Sequence, residues 1–135
     1  FLCDAEVDQV SASSIHSPND HFGKNENFSA HIRFNDGSLC NLTYTSLGSS
    51  GYPKELCHLF FDQSVFYLNN YTSLEAFGSV DEHFETSFQD KGHFEELNCF
   101  FSALREKKDW PIPLWHQTQA TEIALKVEDI IRSHV

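Results

Sequence analysis

Two short clusters hold the residue types with the widest chemical scope. The first is Gly48-Ser49-Ser50-Gly51 running into Tyr52-Pro53-Lys54-Glu55, and the second is Asp90-Lys91-Gly92-His93. In the first, a cation and an anion stand side by side where a Gly/Ser loop re-enters regular structure. Lys54 and Glu55 either form a surface ion pair, or the loop reaches towards a ligand, where Lys54 suits an anionic or polyhydroxylated group. In the second, polar and flexible residues open a helix. They act as a cap, or they present His93 where the helix dipole favours a neutral, proton-accepting imidazole. No nucleophile stands beside His93 in the sequence. Tyr52, Lys54, Lys91 and His93 are therefore candidate substrate-binding residues, and no residue is assigned to catalysis.

Other chemistries lack their signatures. His16, His21, His31, His58, His83, His93, His116 and His134 include no HxH pair and no HExxH, so spacing points to no metal site. Cys3, Cys40, Cys57 and Cys99 form no CxxC pair, which argues against a zinc knuckle or a dithiol redox centre. They read as thiols of a reducing, cytoplasmic compartment, with Cys40, Cys57 and Cys99 packing as small hydrophobes. Three Asn-X-Ser/Thr sequons, at Asn27, Asn41 and Asn70, read as chance matches in strands rich in Asn, Ser and Thr. There is no GxGxxG, no GxxxxGK[ST] and no GxSxG, so the chain shows neither a phosphate cradle nor a nucleophile elbow.

Composition narrows the classes further. The 135 residues are 40% hydrophobic and 21% charged, which suits one packed domain over residues 1–135. Twenty acidic residues against nine basic ones give a formal charge of −11, which disfavours nucleic acid and anionic membrane surfaces as partners. No apolar run approaches the ~20 residues of a membrane span. The chain starts at Phe1 and holds no Met, so it reads as a processed product or a piece of a longer chain.

The order of elements places the two clusters. Alternation of Phe28, Ala30, Ile32 and Phe34 with Ser29, His31 and Arg33 is a half-buried strand, and Cys40, Leu42 and Tyr44 repeat the pattern across Asn35-Asp36-Gly37-Ser38. Asp-Gly between such arms predicts a hairpin. Glu55–Phe61, apolar on both faces, reads as a central strand. Turns at Asp62-Gln63-Ser64 and Asn69-Asn70, then Gly78, divide further strands near 65–68, 73–77 and 83–88. A strand over 6–15 makes six or seven in all. Beyond Asp90, a suitable N-cap, Phe94, Leu97, Phe101 and Leu104 follow at helical spacing. Pro113 opens a second helix with an apolar stripe of Ala120, Ile123, Ala124, Val127, Ile130 and Ile131. Strands first and helices last predict an α+β domain: a mostly antiparallel open sheet with two C-terminal helices on one face.

Three stretches, taken together and in order, carry a family resemblance. They are Asn27-Phe28-Ser29 through Phe34-Asn35-Asp36-Gly37-Ser38-Leu39 to Thr43-Tyr44-Thr45-Ser46-Leu47-Gly48; Tyr52-Pro53-Lys54-Glu55; and Asp90-Lys91-Gly92-His93 with Glu95-Glu96-Leu97 and Trp110-Pro111-Ile112-Pro113-Leu114. The set resembles the C-terminal domain of the glucose–fructose oxidoreductase, inositol dehydrogenase and rhizopine catabolism (Gfo/Idh/MocA) family. The resemblance implies a substrate-binding and assembly domain that is inactive alone, binds no cofactor itself, and partners an N-terminal Rossmann domain holding NAD or NADP. It implies homo-oligomers through the open sheet face and a sugar, inositol or nucleotide-sugar carbinol as substrate. A non-catalytic oligomerisation or binding module is the alternative from another class. A small cone-shaped enzyme of the ketosteroid-isomerase kind fits less well, because its long helices come early.

Overall fold

In a computed structural model of the chain, which describes residues 2–15 and 23–133, seven strands precede two helices. The strands are β1 (Val7–Ser14), β2 (Asn27–Phe34), β3 (Leu39–Thr45), β4 (Leu56–Phe61), β5 (Ser64–Asn69), β6 (Ser73–Phe77) and β7 (Glu82–Glu85). The helices are α1 (His93–Glu106) and α2 (Leu114–Ser133). All strand pairings are antiparallel, so the fold is α+β with its helices last, as the sequence predicts. The strands, however, divide between two sheets, β1-β2-β3 and β4-β5-β6-β7. Two compact units result, one of residues up to Gly48 together with those from Asp109 on, the other Ser49–Lys108. The exposed, polar Gly/Ser segment between β3 and β4 offers no ladder to carry pairing across. Among the described residues each unit therefore has one α-helix, in place of two helices on one face of one sheet.

In the first unit, period two meets period four. Val10 pairs with Ile32 and Ala12 with Ala30, so one face of the sheet is apolar. Ile123, Val127 and Ile131 of α2 recur every fourth residue and pack on that face with Val10, Ala30 and Ile32. Ala120 and Ala124 stay exposed, so the working stripe is narrower than the sequence implies. The β2–β3 turn forms at Asn35–Ser38, with Gly37 at φ +90°. Asp36 accepts the Ser38 amide at 2.8 Å and the Ser38 hydroxyl at 2.9 Å, and these bonds hold its carboxyl below the ordinary carboxylate range. Asn27, 4% exposed, accepts Thr45 Oγ1 at 2.8 Å and the Ser46 amide at 2.9 Å, so this sequon Asn closes the end of β3.

Two α2 side chains fasten the segment before β1. Gln119 accepts the Val7 amide at 2.8 Å and donates to the Ala5 carbonyl at 3.0 Å, completing backbone pairing that no strand supplies. The buried His116 places Nε2 2.9 Å from Asp4 Oδ1. Neither contact has a sequence signature, since more than a hundred positions separate the partners.

In the second unit, pairs of left-handed residues make the turns. Asp62 (φ 47°) and Gln63 (φ 61°) join β4 to β5, and Asn70 (φ 51°) and Tyr71 (φ 54°) lead from β5 to β6. Gly78 (φ +107°) lies against the first of these turns, where an added Cβ would stand 2.3 Å from the Gln63 carbonyl oxygen. The strand β4 sits at a sheet edge, not in its centre: its apolar residues Phe60 (74% exposed) and Phe61 (60%) cover surface. The helix α1 departs from its expected packing in the same way. Only Ala103 is buried, while Phe94, Leu97, Phe101 and Leu104 are exposed. Its N-cap is Gly92 in the left-handed region, and Asp90 accepts the Gly92 amide at 2.9 Å instead of capping the first turn. No disulfide joins the four cysteines; Cys3, Cys40 and Cys57 are half-buried and Cys99 is exposed. The candidates His16, His21 and His134 lie outside the described residues.

Burial decides which apolar residues hold the fold. Ile131→Ala is expected to cost ~2–5 kcal/mol, because the site is enclosed by sheet and helix. Phe94→Ala is expected to change stability by less than about 0.5 kcal/mol. Urea unfolding of both variants checks the contrast; equal losses would contradict this placement of α1.

Candidate functional site

Apart from Gly48, both sequence clusters fall in the second unit, and the β5–β6 turn connects them. The Asn70 amide donates to the Glu55 carbonyl at 2.6 Å, and Asn70 Oδ1 accepts the Lys54 amide at 3.3 Å. The same Oδ1 accepts Gln89 Nε2 at 2.7 Å, while the Tyr71 carbonyl accepts the Asp90 amide at 3.0 Å. One turn thus grips the end of the first cluster and the start of the second. Left-handed backbone is easy for Asn but costs a bulky residue such as Tyr71 about 1–2 kcal/mol, so the surrounding bonds must hold it there.

Side chains complete the junction. Lys91 Nζ lies 3.2 Å from Glu55 Oε1 and 5.4 Å from the centre of the Tyr71 ring, within cation–π range. Beside it opens a cavity of about 320 Å³. Its apolar wall is the row Leu68–Leu74–Phe84, one residue from each of β5, β6 and β7 in direct register. Tyr71, Asp90 and Glu95 line it from the turn and the start of α1. An aromatic and aliphatic wall with hydroxyl and carboxylate groups around it suits a ring carrying hydroxyls: the wall takes the C–H face and the carboxylates accept from the O–H groups. The same carboxylates disfavour phosphate.

The four predicted residues fare differently. Lys91 is at the centre of the junction. Lys54 enters through its backbone, and the ion pair at Glu55 is made by Lys91 in place of Lys54. Tyr52 is 67% exposed in a small turn, its amide donating to the Ser49 carbonyl, and does not line the cavity. His93 is exposed as the first residue of α1 and does not line it either. Tyr71, Phe84 and Glu95 were not picked out as site residues, although Glu95 stands in a stretch that carries the resemblance; Asn69-Asn70 was legible as a turn and as part of a sequon. Among the described residues no group of three or more His, Cys, Asp or Glu converges as a metal site.

A pyrophosphate does not fit the glycine-opened start of α1. Asp90 already takes the Gly92 amide, and Glu95 and Glu96 occupy the first turn of α1, so an anion there would meet three carboxylates. No helix among the described residues is long and apolar enough to cross a membrane.

No protein-family model matches the sequence, and no curated protein sequence does. Solved structures do. The UDP-N-acetylglucosamine 3-dehydrogenase GnnA from Acidithiobacillus ferrooxidans superposes with a TM-score of 0.75 at 17% identity, over 93% of this chain and 40% of that one. A second crystal form of it gives 0.73 at 17% identity, over 93% and 41%. An oxidoreductase-like protein from Thermotoga maritima gives 0.71 at 16% identity, over 97% and 40%. The fold is one that these oxidoreductases contain. The chain spans about 40% of the length of the solved structures it matches, and the resemblance read from its motifs is borne out at the level of fold.

The Lys91–Glu55 pair generates a measurable expectation. Both side chains are about one-third exposed (38% and 35%), so screening leaves a coupling of about 0.5–1 kcal/mol. A double-mutant cycle with Lys91→Met and Glu55→Gln measures it; strict additivity would mean the two clusters are not joined by this pair.

Proposed function

We propose that this chain is the substrate-binding and assembly part of an NAD(P)-dependent oxidoreductase acting on a carbinol of a sugar, inositol or nucleotide sugar. The observation that carries the reading is the cavity beside Lys91: an apolar row, an aromatic ring and two carboxylates, on a fold shared with a nucleotide-sugar dehydrogenase. The role of these residues is to hold and orient. Phe84 and Leu74 support the ring face, Asp90 and Glu95 accept hydroxyl donors, and the Glu55–Lys91 pair fixes the start of α1. A nicotinamide held by a Rossmann domain outside this sequence would supply the hydride chemistry, while the residues here would hold and orient the substrate. Alone, the chain binds part of the substrate and turns nothing over. Its open sheet face provides the assembly contact.

The test is a titration of the isotope-labelled chain followed by amide NMR. N-Acetylglucosamine, the hydroxylated ring without the diphosphate, is expected to bind weakly, with a Kd in the range of about a millimolar, and to shift Tyr71, Phe84, Asp90 and Glu95. NADH is expected to shift nothing. Saturable NADH binding, or sugar-induced shifts confined to other residues, would contradict the reading.

A further inference from the structure

The side chains around the cavity of the second unit differ in what they have left to offer a ligand. Thr72 and Thr86 line it, both half-buried. Thr72 Oγ1 donates to the Asn69 carbonyl at 3.0 Å and Thr86 Oγ1 to the Phe88 carbonyl at 2.6 Å, so each hydroxyl proton is committed and only lone pairs remain. Asp90 and Glu95 are acceptors, and among the described residues neither stands in an ion pair. Asp90 Oδ1 takes the Gly92 amide at 2.9 Å, while Asp90 Oδ2 and the Glu95 carboxylate take no hydrogen bond among those residues. Lys91 is held by Glu55 and does not line the cavity. The hydroxyls of Tyr71 and Ser73 remain as side-chain donors. The start of α1 contributes roughly half a positive charge, which two carboxylates outweigh.

A ligand matched to this lining is rich in donors and positively charged. A metal ion is poorly served, since no group of three or more His, Cys, Asp or Glu converges among the described residues. An ammonium is well served: it brings three N–H donors, accepts nothing, and stands favourably on an aromatic face. Lys91 already does so on Tyr71, 5.4 Å from the ring centre, and Phe84, 64% exposed on the cavity wall, offers a further face. We propose that the cavity takes a polyhydroxylated ring bearing a protonated amine, an amino sugar or aminocyclitol, in preference to the neutral or anionic ring. The proposal rests on the reading of this cavity as a sugar site and narrows it. The Leu68–Leu74–Phe84 row supports the ring, the Tyr71 and Ser73 hydroxyls donate to its oxygens, and Asp90 and Glu95 receive the ammonium. Acylation of that nitrogen removes the charge and two of its donors, and a phosphate meets like charge. The formal charge of −11 favours any cation at long range, but Asp90 and Glu95 add a local attraction that a carboxylate outside the lining does not.

Amide NMR titrations with glucosamine, glucose and glucuronate test this, because the three share a ring and differ in charge. The buffer is slightly acidic and low in salt, which keeps the amine protonated. Glucosamine is expected to bind about fivefold more tightly than glucose, and glucuronate more weakly than either, with shifts at Tyr71, Phe84 and Glu95. Glu95→Gln and Asp90→Asn, the second of which keeps an acceptor for Gly92, are each expected to cut that preference to about twofold. Glu96→Gln removes the same charge from a residue that does not line the cavity, and is expected to leave the preference unchanged. The dispersion of the same spectra confirms that each variant folds. Equal affinities for the three sugars, with shifts at the cavity, would overturn the charge preference and leave the sugar-site reading standing. A preference that survives both lining variants, or falls as far in Glu96→Gln, would overturn the role given to Asp90 and Glu95. No shift at the cavity with any of the three would overturn both this proposal and the reading beneath it.

Discussion

Asn70 and Tyr71 stand consecutively in the left-handed region, and the second unit is organised by what those two residues hold. The Asn70 side chain accepts Lys54 and Gln89, its amide reaches Glu55, and the Tyr71 carbonyl receives Asp90. Segments some thirty-five residues apart in sequence are thereby brought to one point, and Lys91 can meet Glu55. The cavity follows from this arrangement: its wall is the Leu68–Leu74–Phe84 row, and its mouth is set by where the turn and α1 begin. The strain at Tyr71 is offset by these bonds, so the turn and the junction stand or fall together.

The sequence made the local devices legible and the long-range ones only in outline. The Asp36-Gly37 hairpin, the breaks at Asp62-Gln63 and Asn69-Asn70, and the two C-terminal helices all announce themselves through residues whose backbone preferences act over a few positions. The partners of Lys91 did not, because Glu55 sits beside Lys54 in the chain and an adjacent cation hides the more distant one. Gln119 and His116 likewise carry no local signal for Ala5, Val7 and Asp4. Apolar content misled in two places. In β4 and α1 it reads as core, yet Phe60, Phe61, Phe94 and Phe101 are exposed. Periodicity reports that a face is apolar, not which surface covers it.

That difference bears on function. A chain whose aromatic residues stand open on a sheet edge and on a helix has more apolar surface than its own units bury. In the function proposed above, that surface is available to a partner. The proposed role as one wall of a substrate site draws on the cavity row Leu68–Leu74–Phe84 and its neighbouring carboxylates. The first unit, with α2 laid on β1 and the segment before it fastened by Gln119, has its own enclosed core and depends on none of this.

The most direct test of this account is amide hydrogen exchange in Asn70→Ala. Removing the Asn70 side-chain Oδ1 takes the acceptor from the Lys54 amide and frees Gln89, so the Lys54 and Asp90 amides are predicted to lose protection together. The β1-β2-β3 amides should be unchanged. Protection at Asp90 that survives the loss at Lys54 would contradict the account, because the two clusters would then be held independently of the turn.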